Sequence, residues 1–383
     1  MRASNGEFCV TEREAFIALN RVSGIGAITV KRLIEAFGSA AAAFGAGEEK
    51  LRRVPGIGTE RAQAFARDFE QTGFADEMAK ADALGVQLVT WADAAYPAIL
   101  KTIADPPLVL YVTGAVDALA GPSVAVIGTR HPTVYGRETA RRMGFQLAGM
   151  GYVVVSGLAL GIDSEAHLGA LQAKGRTVAI VGGALDCLYP KENEELAKSM
   201  AAQGGAVVSE YPFGRQPDRQ TFPMRNRIVS GLAKGVVVVE APLASGTMIT
   251  VDQALDQGRS VMAVPGRTDS PKSQGCHKLI RSGARLVTSA DDVAEELQEL
   301  LPTTMRRTTT EANTPAAKPE PAPAAPTSPE ERRVLECLGH EPLHVDDVIR
   351  QTGLPAGSVN ALLVGLQIKR RVKLQPGGMV KKG

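Results

Sequence analysis

From Ser123 to Val264 the sequence alternates on a steady rhythm. Short apolar runs occupy Ser123–Ile127, Tyr152–Ser156, Thr177–Val181, Ala206–Ser209, Val236–Glu240 and Ser260–Val264. Helical stretches lie between them, at Tyr135–Met150, Asp163–Lys174, Asn193–Gln203, Met224–Ala233 and Thr247–Gln257. The runs are continuously apolar, with no polar residue at every second position, which suits strands buried on both faces. Strands alternating with helices of this length predict βαβ units. The right-handed crossover then brings all the strand ends to one edge of the sheet. The expected fold class is α/β, a Rossmann-like, doubly wound, mostly parallel sheet whose ligands bind at that edge.

Four segments reach this edge carrying groups suited to an anion. The first run leads into Gly128, Thr129 and Arg130, where glycine permits a sharp turn and arginine leaves the sheet as a cation. Ser156-Gly-Leu-Ala-Leu-Gly-Ile-Asp163 is a glycine-rich strand-to-helix loop. Ser156, Gly157 and Gly161 there can let a phosphate approach backbone N–H groups at a positive helix end. The plainer reading is a tight turn with Asp163 as the helix cap. Phe222-Pro-Met-Arg-Asn-Arg-Ile228 sets Arg225, Asn226 and Arg227 at a helix start, a phosphate clamp or an ion-pair network with Glu210 and Glu240. Glu240-Ala-Pro-Leu-Ala-Ser-Gly-Thr247 offers Ser245, Gly246 and Thr247 as donors, with Ser245 as a simple helix cap the alternative. Lys191, after Tyr189-Pro190, adds a cation at the rim. Asp163 and His167 are four apart on one helix face; a structural hydrogen bond is preferred over a metal or acid–base role, because no other histidine has matching spacing.

Several function classes are excluded by what the chain lacks. There is neither GxxxxGK[ST] nor GxGxxG, so no mononucleotide or dinucleotide fingerprint is present, and no cofactor or metal is expected. The four cysteines are far apart with no CxxC pair, which fits a reducing cytoplasm. No signal peptide or membrane-spanning run is seen. With 43 basic and 41 acidic residues there is no global basic field, so any polyanion must be held by local clusters.

The flanks differ in character. Before the sheet, Val22-Ser-Gly-Ile-Gly26 and Val54-Pro-Gly-Ile-Gly58 each precede a helical stretch, as in helix-hairpin-helix turns that present N–H groups to phosphate. Lys31, Arg32, Arg52, Arg53 and Arg61 lie close by in sequence. Glycines that merely allow tight interhelical turns account for the same pattern. A strand is expected at Gln87–Thr90, and Pro106-Pro107 stiffens the approach to Tyr111. After the sheet, an Ala/Pro-rich tract cannot bury a core and reads as a linker. Three helices and a short hairpin follow, a small winged-helix domain with six basic and no acidic residues from Ala361 onward. That basic tail is either a solvated wing or a weak contact to DNA or protein. The expected domains are 1–72, 73–300, a linker at 301–328, and 329–383.

The segments VAVIGTR, SGLALGID followed by EAH, LDCLYPKEN, SEYPFG, FPMRNRIVSGL, VVEAPLASGTMIT and GRSVMAVPG occur in this order and span the sheet domain. Together they resemble the DNA-processing protein A family (DprA/Smf) of bacterial recombination mediators. The resemblance implies a cytoplasmic, non-enzymatic protein that binds and protects single-stranded DNA and helps load the RecA recombinase in natural transformation. It implies a homodimer formed through the sheet domain, with Arg130, Lys191, Arg225 and Arg227 as DNA contacts. A different class is a nucleotide-binding or nucleotide-hydrolysing enzyme of the lysine-decarboxylase-like group, with Asp163, Glu210 or Glu240 as its carboxylate. Its PGGxGT signature is absent, and LASGTMIT echoes it only in part. A third reading is a duplex-DNA regulator acting through the tail.

Overall fold

β3 (Ser123–Ile127) is buried along its whole length, and the sheet grows outward from it in both directions. In the computed structural model, residues 10–22, 24–71, 74–299, 329–338, 343–368, 371–375 and 379–382 are described. Ser23 of the first hairpin turn, the linker at 301–328 and the tail turn at 376–378 lie outside them. Two compact units result, Met1–Arg306 and Arg307–Gly383.

In the first unit, β4 (Val153–Ser156), β5 (Thr177–Ile180) and β6 (Ala206–Ser209) step away from β3 on one side. The chain then returns to place β7 (Gly235–Val238) against the other flank of β3, followed by β8 (Ser260–Ala263) and β9 (Arg285–Leu286). All of these neighbours pair parallel. Beyond β6, β2 (Val109–Gly114) and β1 (Gln87–Thr90) add antiparallel, giving the order β1-β2-β6-β5-β4-β3-β7-β8-β9. The parallel centre matches the sequence expectation. The strand expected at Gln87–Thr90 forms as β1; its antiparallel pairing through β2 and the two-residue β9 carry too little pattern to be read in advance.

Alternate residues of each strand face opposite cores. Val124 and Val126 pack with Met143 and Leu147 of α8 (Val134–Gly149) and Ala166 of α9 (Ile162–Gln172). Ala125 and Ile127 pack with Ile228 and Leu232 of α11 (Thr221–Leu232) and Val251 of α12 (Gly246–Asp256). α10 (Glu194–Ala202) lies over β5 and β6 on the α9 side, and α13 (Gln274–Arg281) adds Cys276 and Leu279 to the α12 side. Two faces covered by helices explain why the strands are apolar throughout.

The N-terminal helices are α1 (Glu12–Arg21), α2 (Ala27–Phe37), α3 (Ala40–Phe44), α4 (Glu48–Leu51), α5 (Thr59–Gln71) and α6 (Ala75–Ala83). Phe16, Leu19, Leu33 and Phe65 form their core, which continues without a break into Leu88, Val109 and Tyr111 of β1 and β2. The helices are therefore seated on the antiparallel edge. The buried Tyr111 hydroxyl meets Glu77 Oε1 at 3.0 Å, and Arg21 pairs with the same carboxylate.

The second unit is a winged helix. Helices Pro329–Cys337, Val345–Thr352 and Ala356–Ile368 enclose Val334, Val348 and Leu363. The hairpin Val372–Gln375 with Met379–Lys382 is joined by a third short strand, Leu343–His344. Among the described residues no helix is long and apolar enough to cross a membrane.

Candidate nucleic-acid interface

The order of strand addition reverses at β3: β4 to β6 are added on one side, and β7 to β9 on the other. The loops leaving β3 and β7 diverge, so a crevice opens at their carboxyl ends. A cavity of about 460 Å³ lies there, lined by residues following β3, β4 and β7 and by the first turns of α11. Gly128, Thr129, Arg130, Gly157, Arg225, Asn226 and Ser245 to Thr247 all reach it. The fold thus gathers most of the sequence candidates around one opening.

Not all of them face it as donors. The loop from Gly157 to Asp163 spends several of its N–H groups on protein acceptors. Asp163 Oδ2 accepts from Gly157 N at 3.1 Å and from Ala159 N at 3.4 Å. Ile162 N donates to Thr129 O, and Ser164 N donates to Ala159 O. Gly161, at φ 88°, adopts a conformation L side chains avoid, and a Cβ there would lie 2.5 Å from Thr129 O. The loop is thereby docked under Arg130. Ser156 does not reach the cavity; its buried hydroxyl donates to Val126 O across the sheet.

Arg225 forms the floor. It is 4% exposed, and its guanidinium donates to the carbonyls of Gly157 and Ile180. Gly157 permits this, since a Cβ would sit 2.6 Å from the guanidinium nitrogens. Burial pushes Arg225 down to about 10, with Asp163 opposing the shift, and burial likewise pushes Asp163 up against the pull of Arg225. Among the described residues, the Arg225 Nε has no hydrogen-bond partner.

Arg227 points elsewhere. Its side chain is 12% exposed and grips Glu210 in a fork, Nη2 to Oε2 at 2.6 Å and Nη1 to Oε1 at 3.2 Å, while Nε meets Asp105 at 3.2 Å. Of the two arginines expected as a clamp, one supports the floor and the other locks α11 to the segment before β2. Burial raises the Glu210 carboxyl, opposed by the Arg227 charge. Glu240 is not its partner: it accepts from Thr133 N and Oγ1 at 2.9 and 2.6 Å and anchors the start of α8.

The exposed cation is Arg130. Its guanidinium lies 5.2 Å from the centre of the Phe222 ring, and Phe222 meets Tyr189 at 5.9 Å. Tyr189 is half exposed, and exposed Lys191 follows two positions on. This stacked set of cation and rings was not singled out from sequence. The signal was an aromatic beside each basic motif, Tyr189 before Lys191 and Phe222 before Arg225, in a chain where only 4% of residues are aromatic. Opposite, Ser245 occupies the cap position of α12, yet its hydroxyl makes no cap bond and is buried without a partner. The first-turn N–H groups of Gly246 and Thr247 therefore have no side-chain cap.

The other candidates serve structure. Asp163 and His167 do not bond each other. His167 Nδ1 lies 2.6 Å from Thr177 Oγ1, which itself donates to Val154 O, so the imidazole donates through Nδ1. Burial, aided by Arg225, pushes its pKa down to about 3. In the helical hairpins, Arg61 donates to Gly24 O at 3.0 Å and Gly56 O at 3.5 Å, tying the two turns together. Among the described residues, no cluster of His, Cys, Asp and Glu could hold a metal ion.

Fold and cavity define a Rossmann-like α/β protein whose binding edge carries an exposed arginine, stacked rings and uncapped backbone donors. The chain belongs to the DNA recombination-mediator protein A family, whose model matches residues 87–298. Models of the DprA winged helix domain and of a SAM-like helix-hairpin-helix tandem match residues 318–378 and 16–65. Protein Smf of Synechocystis sp. is 32% identical over 96% of this chain and 98% of its own length. DNA processing protein DprA of Bacillus subtilis is 43% identical over 56% of this chain and 72% of its own. The X-ray structure of DprA from Streptococcus pneumoniae matches at 35% identity with a TM-score of 0.65, covering 75% of this chain and 98% of that one. The Helicobacter pylori DprA structure, described by its single-stranded DNA binding mode, matches at 32% identity and a TM-score of 0.50, covering 56% and 96%.

Proposed function

We propose that this protein binds single-stranded DNA along the sheet edge, protects it, and hands it to the RecA recombinase during transformation and recombination. The observation that carries the reading is Arg130, exposed at the mouth of the switch-point cavity and stacked on Phe222 beside Tyr189. A cation that also stacks suits a flexible strand, whose phosphates give affinity and whose bases stack with little sequence preference. The match to Helicobacter pylori DprA supports the same ligand. RecA as partner, a homodimer built through the sheet domain and a cytoplasmic location are part of this reading, as the resemblance to the family implies. Lys191, Asn226, Gly246 and Thr247 extend the contact, while Arg225 acts from beneath.

The mode of action in this reading is binding, not catalysis. Each carboxylate near the edge is engaged: Asp163 by backbone N–H groups, Glu210 by Arg227, and Glu240 by Thr133. The test is Arg130→Ala in a salt titration with a labelled oligothymidylate. Affinity falls, and the slope of log K against log salt flattens by about 0.7 for the lost phosphate contact. An unchanged slope and affinity in a folded variant refutes the site. Release of free base from nucleoside monophosphates, abolished by Glu240→Gln, refutes the non-enzymatic reading.

A further inference from the structure

We propose that Asp186 and Lys80 are positioning residues for the strand: they clamp the Leu185–Lys191 loop so that Tyr189 and Lys191 stay at the sheet edge. This rests on the strand-binding reading of that edge, and gives the helical segment a part in it without contact to DNA. The loop follows β5 and carries two groups of that edge, half-exposed Tyr189 and exposed Lys191. Neither lies in a β-strand or an α-helix, so their place depends on what ties the loop to the scaffold.

The loop has an anchor on each side of this pair. Beyond Lys191, the buried Asn193 amide donates to Leu158 O at 2.8 Å and to Ser164 Oγ at 2.9 Å. Before Tyr189, one carboxylate joins three segments. Asp186 Oδ1 accepts from Gly214 N at 2.9 Å in the loop after β6, and Oδ2 accepts from Lys80 Nζ of α6 at 2.7 Å. α6 holds the Gly214 turn in other ways as well. Lys80 Nζ lies 5.2 Å from the centre of the Phe213 ring, and Phe213 N donates to the buried Glu77 Oε1 at 2.9 Å. Ala184 N donates to Arg215 O and the Gln216 amide to Cys187 Sγ, so the two loops run side by side. The side chains of Lys80 and Asp186 are 47% and 20% exposed, and an ion pair so placed adds little to stability. What it fixes is direction, because a carboxylate bonded through both oxygens to two other segments fixes the turn that carries it. Charge gives the proposal a sign of its own. Asp186 is an anion near a site for a polyanion, so by charge alone its removal tightens binding; by position, its removal weakens binding.

The experiment is a salt titration of a fluorescent oligothymidylate with the full chain and with Asp186→Ala, each with and without Tyr189→Ala and Lys191→Ala together. Asp186→Ala is expected to weaken binding about tenfold, in the lower part of the range for one stacked base. The salt slope is expected to flatten by about 0.7 for the displaced Lys191 contact. In the chain that already lacks the Tyr189 and Lys191 side chains, Asp186→Ala is expected to cause no further loss. Unchanged or tighter binding by folded Asp186→Ala overturns the proposal, as does the same tenfold loss in the chain lacking both side chains. Lys80→Met, which keeps the stem over Phe213 and removes the ammonium, is the second variant if Asp186→Ala does not fold. No loss with Lys80→Met, or a loss that persists in the chain lacking both side chains, overturns the proposal too. If the oligomer does not bind the parent chain, the strand-binding reading fails separately. Hydrogen exchange of residues 185–191 then decides the clamp. Faster exchange in the variant sustains it, and unchanged exchange overturns it.

Discussion

Arg225 and Arg227 stand two positions apart in one helix and their guanidiniums go to different places, one beneath a glycine loop, the other into a carboxylate pair. Their type and spacing were plain in the sequence. Their direction was not, because it depends on Gly157 and Glu210, which arrive from distant strands. His167 shows the same limit: its four-residue spacing from Asp163 suggested a shared purpose, yet its partner is Thr177 from the next strand. His167 also has a measurable consequence. Its folded-state pKa, pushed down to about 3, lies below the ordinary 6.5, so as pH falls the unfolded chain takes up the proton first. The stability tied to a neutral His167 is complete above about pH 6.5 and drains as pH falls toward about 3. Between about pH 7 and about pH 5 this amounts to about 2 kcal/mol. His167→Gln cannot charge, so its urea-unfolding free energy should fall by that much less than the wild type over the same interval. Parallel pH profiles for the two proteins would contradict a neutral, buried imidazole.

Among elements, the antiparallel pair β1–β2 is the join between the helical segment and the sheet. Leu88, Val109 and Tyr111 belong to the hydrophobic cluster of the helices, although their strands belong to the sheet. The end of the helical stretch with its two hairpin turns suggested a boundary after residue 72; the apolar side chains of β1 and β2 pack against the helices all the same. Hydrophobic patterning records which residues are buried without recording against what. Each such side chain is worth about 1.5–3 kcal/mol when buried. A chain beginning at residue 75 should therefore lose on the order of 5 kcal/mol and bind a hydrophobic dye, as read by urea unfolding and dye fluorescence. An unchanged unfolding midpoint would show that the sheet does not need the helices. The same element-level packing gives Arg61 a structural task between the two hairpin turns, where sequence left phosphate binding and tight turning equally open.

At the scale of the molecule, the sheet edge and the winged helix lie in separate compact units. Cavity, Arg130 and stacked rings all belong to the first. A chain ending at residue 302 should keep most of its single-strand affinity, within about threefold in a gel shift, and the duplex-regulator reading demands the opposite. Nothing in the winged helix's composition could rank these alternatives, because six basic residues serve equally as a solvated surface or a contact.

Local pattern by itself determined the parallel sheet, its strand-helix rhythm, the edge where the strand-end loops gather, and the family. Each is written in contiguous residues: unbroken apolar runs, glycines at strand ends, and ordered motifs. Only the tertiary structure decided which donors are free. Backbone and side-chain polar groups satisfy one another whenever they are brought within reach, and reach is set by folding. That is why Asp163 takes two of the glycine-rich loop's N–H groups, why Arg227 is held by Glu210, and why Arg130, stacked on Phe222, is left exposed at the cavity.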